Sequence, residues 1–167
     1  MDIHNFFWLV LLTLLPCLEL RASIPVGLWS RPIEVPFFGQ VSGLGLSILE
    51  VLPLVLVVNI LLGLFLFVFL DSLVRLFTRV QFIRVIYNKL VERTRRKASK
   101  IVEKYGTIGL ALFIAIPLPG SGVWTGALAA YLLGMKLKKF LVADIAGVLI
   151  AGLIVTLATL GLLNGLV

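Results

Sequence analysis

The sequence has little of the chemistry on which soluble enzymes depend. Its 167 residues include a single cysteine, Cys17, and a single histidine, His4. One cysteine excludes an internal disulfide and a multi-cysteine metal cluster. No catalytic triad can be assembled around His4. We therefore predict no catalytic residues, no metal site and no cofactor, and we expect that the protein is not an enzyme.

Charge is also scarce, and most of it lies in one segment. Only 14% of the residues are charged, whereas 60% are hydrophobic, and soluble domains are about 45–50% apolar. Ten of the fifteen lysines and arginines fall in residues 75–104. This basic segment flanks apolar spans, as cytoplasmic loops do, so the net charge of +7 does not indicate nucleic acid. We predict an integral membrane protein whose partner is the lipid bilayer.

Four long apolar segments could contact lipid: 6–18, 48–70, 107–134 and 140–163. A helix needs about 20 residues to cross about 30 Å of hydrocarbon. Segments 48–70 and 140–163 have this length, whereas 6–18 is too short to span as a straight helix. Segment 6–18 also lacks the basic head and small-residue cleavage pattern of a signal peptide, so we expect no cleavage there.

Segment 107–134 is interrupted near its middle by the sequence Pro117–Gly122. Its two prolines remove hydrogen-bond donors and clash with the preceding turn, so a continuous helix is not expected. If the segment crossed the membrane, the lysines of 136–139 would lie opposite the basic segment, against the positive-inside rule. We predict a cytoplasmic re-entrant hairpin with its tip at Pro117–Gly122 and arms of about a dozen residues, roughly 18 Å each.

The amino-terminal half has the same order of elements with opposite sidedness. Residues 5–30 would form a hairpin that turns at Pro16 and enters from outside, and 31–47 would be an external loop. Inverted repeats with broken helices recur in transporters. The predicted fold is therefore all-α: an inverted repeat of a re-entrant hairpin plus a transmembrane helix in one membrane domain, 1–167. The predicted parts are the first repeat 1–75 (hairpin about 5–30, span about 48–70), the linker 76–104, and the second repeat 105–167 (hairpin about 107–134, span about 140–163).

The linker 76–104 contains neither proline nor glycine, and its apolar residues recur at near-helical spacing. Such a pattern predicts a basic amphipathic helix on the membrane interface, with a solvated basic loop as the alternative. We expect a multi-pass protein of the inner or plasma membrane, with basic segments 75–104 and 136–139 in the cytoplasm.

Glu19 and Arg21 are the first candidate site residues, because they follow the proline of the first hairpin. Ionisable groups at membrane depth are costly and often functional. Glu19 could carry a proton, and Arg21 could bind an anionic head group through paired hydrogen bonds. The alternative is a pair that neutralises itself or reaches the external interface.

The second candidate site is the break in 107–134. A broken helix exposes N–H groups that favour an anion, and the hydroxyl groups and the tryptophan could contact a substrate. A purely structural turn is the alternative. The candidate residues are Pro117, Pro119, Gly120, Ser121, Gly122, Trp124 and Thr125.

The two full spans add further candidates. Asn59 could supply a polar contact, although an asparagine there more often bonds another helix. Asp144 could belong to a proton path or pair with Lys138 or Lys139 at the interface. Small residues recur every fourth position at 122–134 and 143–151, which predicts packing faces, either within the chain or in a homo-oligomer.

Three stretches give the chain a resemblance to a known family. They are Pro16 to Pro25, the basic run Glu92–Lys97, and Tyr105 to Ala127 with its Ile116–Pro117–Leu118–Pro119–Gly120 core. Together they resemble the small multidrug export proteins of bacteria and archaea, which are distantly similar to the DedA, or VTT-domain, proteins. The resemblance implies transport and opposed re-entrant hairpins, and the DedA similarity implies translocation or scrambling of polyprenyl-phosphate lipids.

Three functions remain open on the sequence. The first is an exporter of small amphiphiles, proton-coupled through Glu19 and Asp144, with a midplane site between the hairpins. The second is a translocase or scramblase of phosphate-bearing lipids, for which Arg21 should matter most. The third is a non-transporting scaffold that uses the basic helix to bind partners or anionic lipid.

Overall fold

The computed structural model describes residues 1–30, 32–35, 39–77, 105–116 and 121–165, and these are largely helical. A two-stranded antiparallel sheet pairs Pro32 with Ser42 and Val35 with Gly39. The elements in chain order are α1 (Ile3–Leu14), α2 (Glu19–Leu28), β1 (Pro32–Val35), β2 (Gly39–Ser42), α3 (Ile48–Phe77), α4 (Tyr105–Ala115), α5 (Val123–Leu132) and α6 (Leu137–Gly165).

Two of the helices are long and apolar enough to cross a bilayer. Within α3 the apolar stretch is Ile48–Leu70, with a mean hydropathy of 2.9, and within α6 it is Leu137–Gly161, with a mean hydropathy of 2.5. Both predicted spans are therefore single helices. The helix of the second span, α6, begins at Leu137, which is three residues before the start of the predicted span 140–163.

The two predicted hairpins are each a pair of short helices. A turn at residues 15–18 separates α1 from α2. The last described helical residue before the second break is Ala115, and α5 begins at Val123. Pro117, Pro119 and Gly120 lie outside the described residues, as does the linker beyond Phe77. The re-entrant placement, the inverted repeat and the interfacial helix at 76–104 stay predictions.

The chain divides into two compact units, the first formed by Met1–Asn59 and Leu149–Val167. In this unit α1 and α2 pack through a buried apolar cluster: Leu12, Leu18, Ala22 and Val26. Gly27 allows α2 to lie against α3, because a Cβ added at Gly27 would be 2.7 Å from a Val51 methyl group. Leu44 and Leu46 donate backbone hydrogen bonds to the carbonyl groups of Val26 and Gly27, which satisfies acceptors near the end of α2.

The start of α3 is capped by its own sequence. Ser47 donates to Glu50 Oε2 from its backbone N–H at 3.1 Å and from its hydroxyl at 2.9 Å, half of a capping box. The Met1 amino group donates to Glu50 Oε1 at 2.8 Å. This hydrogen bond to a carboxylate raises the pKa of the Met1 amino group above its usual value.

The second unit is Ile60–Val148 and contains α4, α5 and the adjoining parts of α3 and α6. Phe67 of α3 and Phe140 of α6 stack with ring centroids 4.4 Å apart and planes 10° from parallel. The end of α5 is closed by Gly134 at φ +63, with Met135 donating to the Ala130 carbonyl at 2.9 Å. This left-handed glycine cap lets the chain leave α5 abruptly and enter α6 within a few residues.

Candidate functional site

Glu19 occupies a strained and buried position at the start of α2. Its φ is +46 and that of Cys17 is +72, both in the left-handed region that non-glycine residues rarely adopt. The Glu19 residue is only 4% exposed. Strained backbone of this kind persists where the surrounding structure holds it and concentrates at functional sites. Arg21, in the first turn of α2, is partly buried and interacts electrostatically with Glu19.

A pair of buried hydroxyl groups joins α1 to α2 close to Glu19. The Ser23 hydroxyl donates to the Glu19 carbonyl at 3.0 Å. The Thr13 hydroxyl lies 2.7 Å from the Leu9 carbonyl and 2.9 Å from Ser23 Oγ, so its single proton is shared. Sequence reasoning missed Thr13 and Ser23. The signal that could have found them is a polar residue in each predicted arm of the hairpin.

Replacing Thr13 by valine keeps the side-chain shape and removes the hydroxyl. We expect Thr13→Val to lower the free energy of unfolding by about 1 kcal/mol more than Thr159→Val does. Thr159 is the matched control, because it is also buried but bonds only the Val155 carbonyl of its own helix. Denaturant unfolding in detergent micelles measures both values. Equal losses would show that the contact with Ser23 contributes nothing.

Asn59 is an unusual residue in the middle of α3. It is fully buried, and neither Nδ2 nor Oδ1 has a hydrogen-bond partner among the described residues. Sequence reasoning favoured a bond from Asn59 to another helix, and the described part of the chain supplies none. Such a group costs roughly 1–3 kcal/mol when it stays unsatisfied. Substrate contact by Asn59 stays a prediction.

Asp144 is a buried acid held against the backbone of α3. It is 0% exposed, and both its predicted roles, in a proton path or in a pair at the interface, stay predictions. A Cβ added at Gly63 would lie 2.5 Å from Oδ2 and 2.6 Å from Oδ1 of Asp144. Gly63 therefore provides the space for this carboxyl group. Sequence reasoning missed Gly63, whose signal is a glycine inside an apolar span.

In the described part of the second break, two hydroxyl groups lie close to backbone carbonyl groups. Ser121 donates from its hydroxyl to the Ile116 carbonyl at 2.6 Å, which ties the two sides of the break together. Gly122, at φ +112, precedes the first residue of α5. The Thr125 hydroxyl lies 3.4 Å from the Gly122 carbonyl, and Trp124 is half-buried. Substrate binding by Ser121 and Thr125 stays a prediction, as does the structural alternative.

A family comparison bears on these residues. A family model described as "Putative small multi-drug export protein" matches residues 19–154. The chain belongs to this family. The matched region begins at Glu19 and extends into α6, so it includes both buried acids and Asn59. No curated protein and no solved structure matches the chain.

Family membership and the two apolar helices together identify a membrane protein of an export family. The family match includes the break at Pro117–Gly122 and both stretches of small residues. Two of these small residues pack within the chain, because a Cβ added at Gly126 or at Gly147 would lie against Ile114 of α4.

The candidate residues of this family member are distributed over both units. Glu19, Arg21 and Asn59 belong to the first unit, and Ser121–Thr125 and Asp144 belong to the second. The structure brings Glu19 near Arg21, and Asp144 against Gly63. A midplane site shared by the two predicted hairpins stays a prediction.

Proposed function

We propose that the chain exports small amphiphilic compounds across the plasma membrane in exchange for protons carried by Glu19 and Asp144. The family description names export. The observation that supports the proton carriers best is the complete burial of Asp144 in a helix otherwise suited to lipid, in a space kept open by Gly63. Glu19 supports the same role, being buried on a strained backbone.

The physical reason is the cost of charge away from water. A carboxylate without water is expensive, whereas the protonated acid is tolerated, so removal from water favours proton uptake. A conformational change that opens the site to water reverses this preference and releases the proton. Acids buried in membrane segments serve proton relays in pumps and transporters for this reason.

The short helices support a path through the membrane interior. None of α1, α2 and α5 is longer than 12 residues, or roughly 18 Å at 1.5 Å per residue. Helices of this length reach about the middle of a 30 Å hydrocarbon layer. In the proposal both pairs are re-entrant and bring broken backbone and polar groups to the bilayer interior, where they line a cavity.

The test is transport by the purified chain in liposomes. With an imposed pH gradient, the wild type should move a fluorescent lipophilic cation in exchange for protons. Glu19→Gln and Asp144→Asn should each reduce the initial flux at least about tenfold, because an amide cannot carry the proton. Glu50→Gln is the control, since Glu50 is a partly exposed acid that caps the start of α3 and is not proposed to carry protons, and its flux should stay within about twofold of wild type.

Other outcomes would contradict the proposal in distinct ways. Equal flux in the wild type and in both amide variants would remove Glu19 and Asp144 as proton carriers. A wild type that moves neither dye nor lipid would favour the non-transporting scaffold.

A second candidate, translocation of a phosphate-bearing polyprenyl lipid, has the half-buried Arg21 in its favour. A guanidinium group binds phosphate through paired hydrogen bonds. In the same liposomes a labelled polyprenyl phosphate would then change leaflet without a pH gradient, and Arg21→Ala would abolish the movement. Dye flux that needs the pH gradient and persists in Arg21→Ala would instead favour the exporter.

A further inference from the structure

A cleft of about 360 Å³ opens in the second unit where α4 begins and α5 ends. Gly106 and Thr107 form one side, and residues 133–136 with Lys139 form the other. These lining residues contribute two lysines and one hydroxyl group, and no acid. The cleft uses none of the residues proposed to carry protons or substrate.

The backbone keeps this cleft open. Gly106 and Gly134 have φ values of +57 and +63, and a Cβ added at either position would meet nothing within 4 Å. Left-handed backbone of this kind favours glycine. The two glycines therefore let the chain turn sharply beside the cleft, whose volume is sufficient for a phosphate group with its attached glycerol.

We infer that the cleft binds the phosphate head group of an anionic membrane lipid, held at the interface as a resident ligand. The two lysine ammonium groups provide the charge, and lysine stems near helix ends cover apolar surface while their charged groups reach the head-group region. The Thr107 hydroxyl can donate a further hydrogen bond to a phosphate oxygen.

Exposed apolar side chains on α4 and α6, the helices that contribute Thr107 and Lys139 to the cleft, point to a lipid instead of free phosphate. On α4 Ile108 is 70% exposed, and on α6 Val142 is 62% exposed. Leu112 and Leu137 are also exposed. A lipid whose phosphate lies against Lys136 and Lys139 can extend its chains along these side chains, whereas inorganic phosphate gains nothing from them.

Native mass spectrometry of the purified full chain in a neutral detergent tests the inference. Phosphatidic acid, phosphatidylcholine and inorganic phosphate are titrated separately. Phosphatidic acid should bind at least about fivefold more tightly than phosphatidylcholine, and Lys136→Gln and Lys139→Gln should each weaken it about fivefold. These variants remove exposed charges, and circular dichroism checks that their helix content is unchanged.

Lys138→Gln is the matched control, because Lys138 is also exposed and carries the same charge but does not line the cleft. Its affinity for phosphatidic acid should stay within about twofold of wild type. Equal weakening by Lys138→Gln and Lys139→Gln would reveal diffuse attraction only and overturn the inference. Binding of inorganic phosphate as tight as that of phosphatidic acid would overturn it as well. Neither result depends on whether the chain exports amphiphiles.

Discussion

Gly63→Ala is expected to destabilise the protein and, under the proposed role of Asp144 as a proton carrier, to abolish export. The added Cβ would lie 2.5 to 2.7 Å from three atoms of the Asp144 carboxyl group, closer than nonbonded atoms approach. The carboxyl group must then leave its position or α3 and α6 must separate locally. Overpacking of this kind costs about 1–3 kcal/mol, which denaturant unfolding in micelles measures.

Gly161→Ala is the control for Gly63→Ala. A Cβ at Gly161 meets nothing within 4 Å, and alanine favours a helix over glycine by about 1 kcal/mol, so this variant should be as stable as wild type or more stable. Asp144→Ala in the Gly63→Ala background should restore stability, because it removes the atoms that clash, but it should leave export lost. Equal stability of Gly63→Ala and Gly161→Ala would contradict the contact.

The second large loss of stability is expected for Gly147→Ala, and the atoms that cause it differ from those that clash in Gly126→Ala. A Cβ at Gly147 would be 2.7 Å from Ile114 Cβ and 2.8 Å from the Ala111 carbonyl oxygen. Neither atom can move without shifting α4. A Cβ at Gly126 would meet Ile114 Cγ1 at 2.5 Å and Cδ1 at 2.9 Å, atoms that a smaller side chain lacks. Both alanine variants should lose about 1–3 kcal/mol of stability.

A second substitution separates the two cases. Ile114→Ala removes Cγ1 and Cδ1, so it should relieve the clash in Gly126→Ala, whereas the clash of Gly147→Ala with Ile114 Cβ and the Ala111 backbone remains. A double-mutant cycle for each pair measures this difference. Equal coupling energies in the two cycles would contradict the packing of α4 on α5 and α6.

Local signals account for the part of the fold that could be predicted. The mean hydropathy of a window of about 20 residues depends only on the residues in that window. It predicted the ends of both spans to within a few residues. Proline acts on its own helical turn, and the described helices stop on either side of Pro16 and of the segment 117–120. Sequence reasoning missed the pairing of β1 with β2, which lies inside the predicted external loop 31–47. The prolines and glycines of this segment are typical of an irregular loop, so they gave no signal for strands.

The residues that sequence reasoning missed depend on contacts between distant parts of the chain. Gly63 matters because of Asp144, and Thr13 matters because of Ser23. In neither pair does the distance between the two residues along the sequence match a known motif. Asp144 lies about two turns inside α6, which begins at Leu137, but Val142 and Ile145 beside it are exposed, so its burial reflects the contact with Gly63 and not its depth in the helix.

The proposed path requires that the pair α4 and α5 enter and leave the bilayer on one face. Vesicles of known orientation can be labelled with a membrane-impermeant maleimide after cysteines replace the exposed Tyr105, Lys138 and Gln40 one at a time. Cys17→Gly supplies a background without the native thiol and suits the φ of +72 at that position. Tyr105→Cys and Lys138→Cys should react from the same face, and Gln40→Cys from the opposite one. Labelling of Tyr105→Cys and Lys138→Cys from opposite faces would show that the segment crosses the membrane and would contradict the re-entrant hairpin.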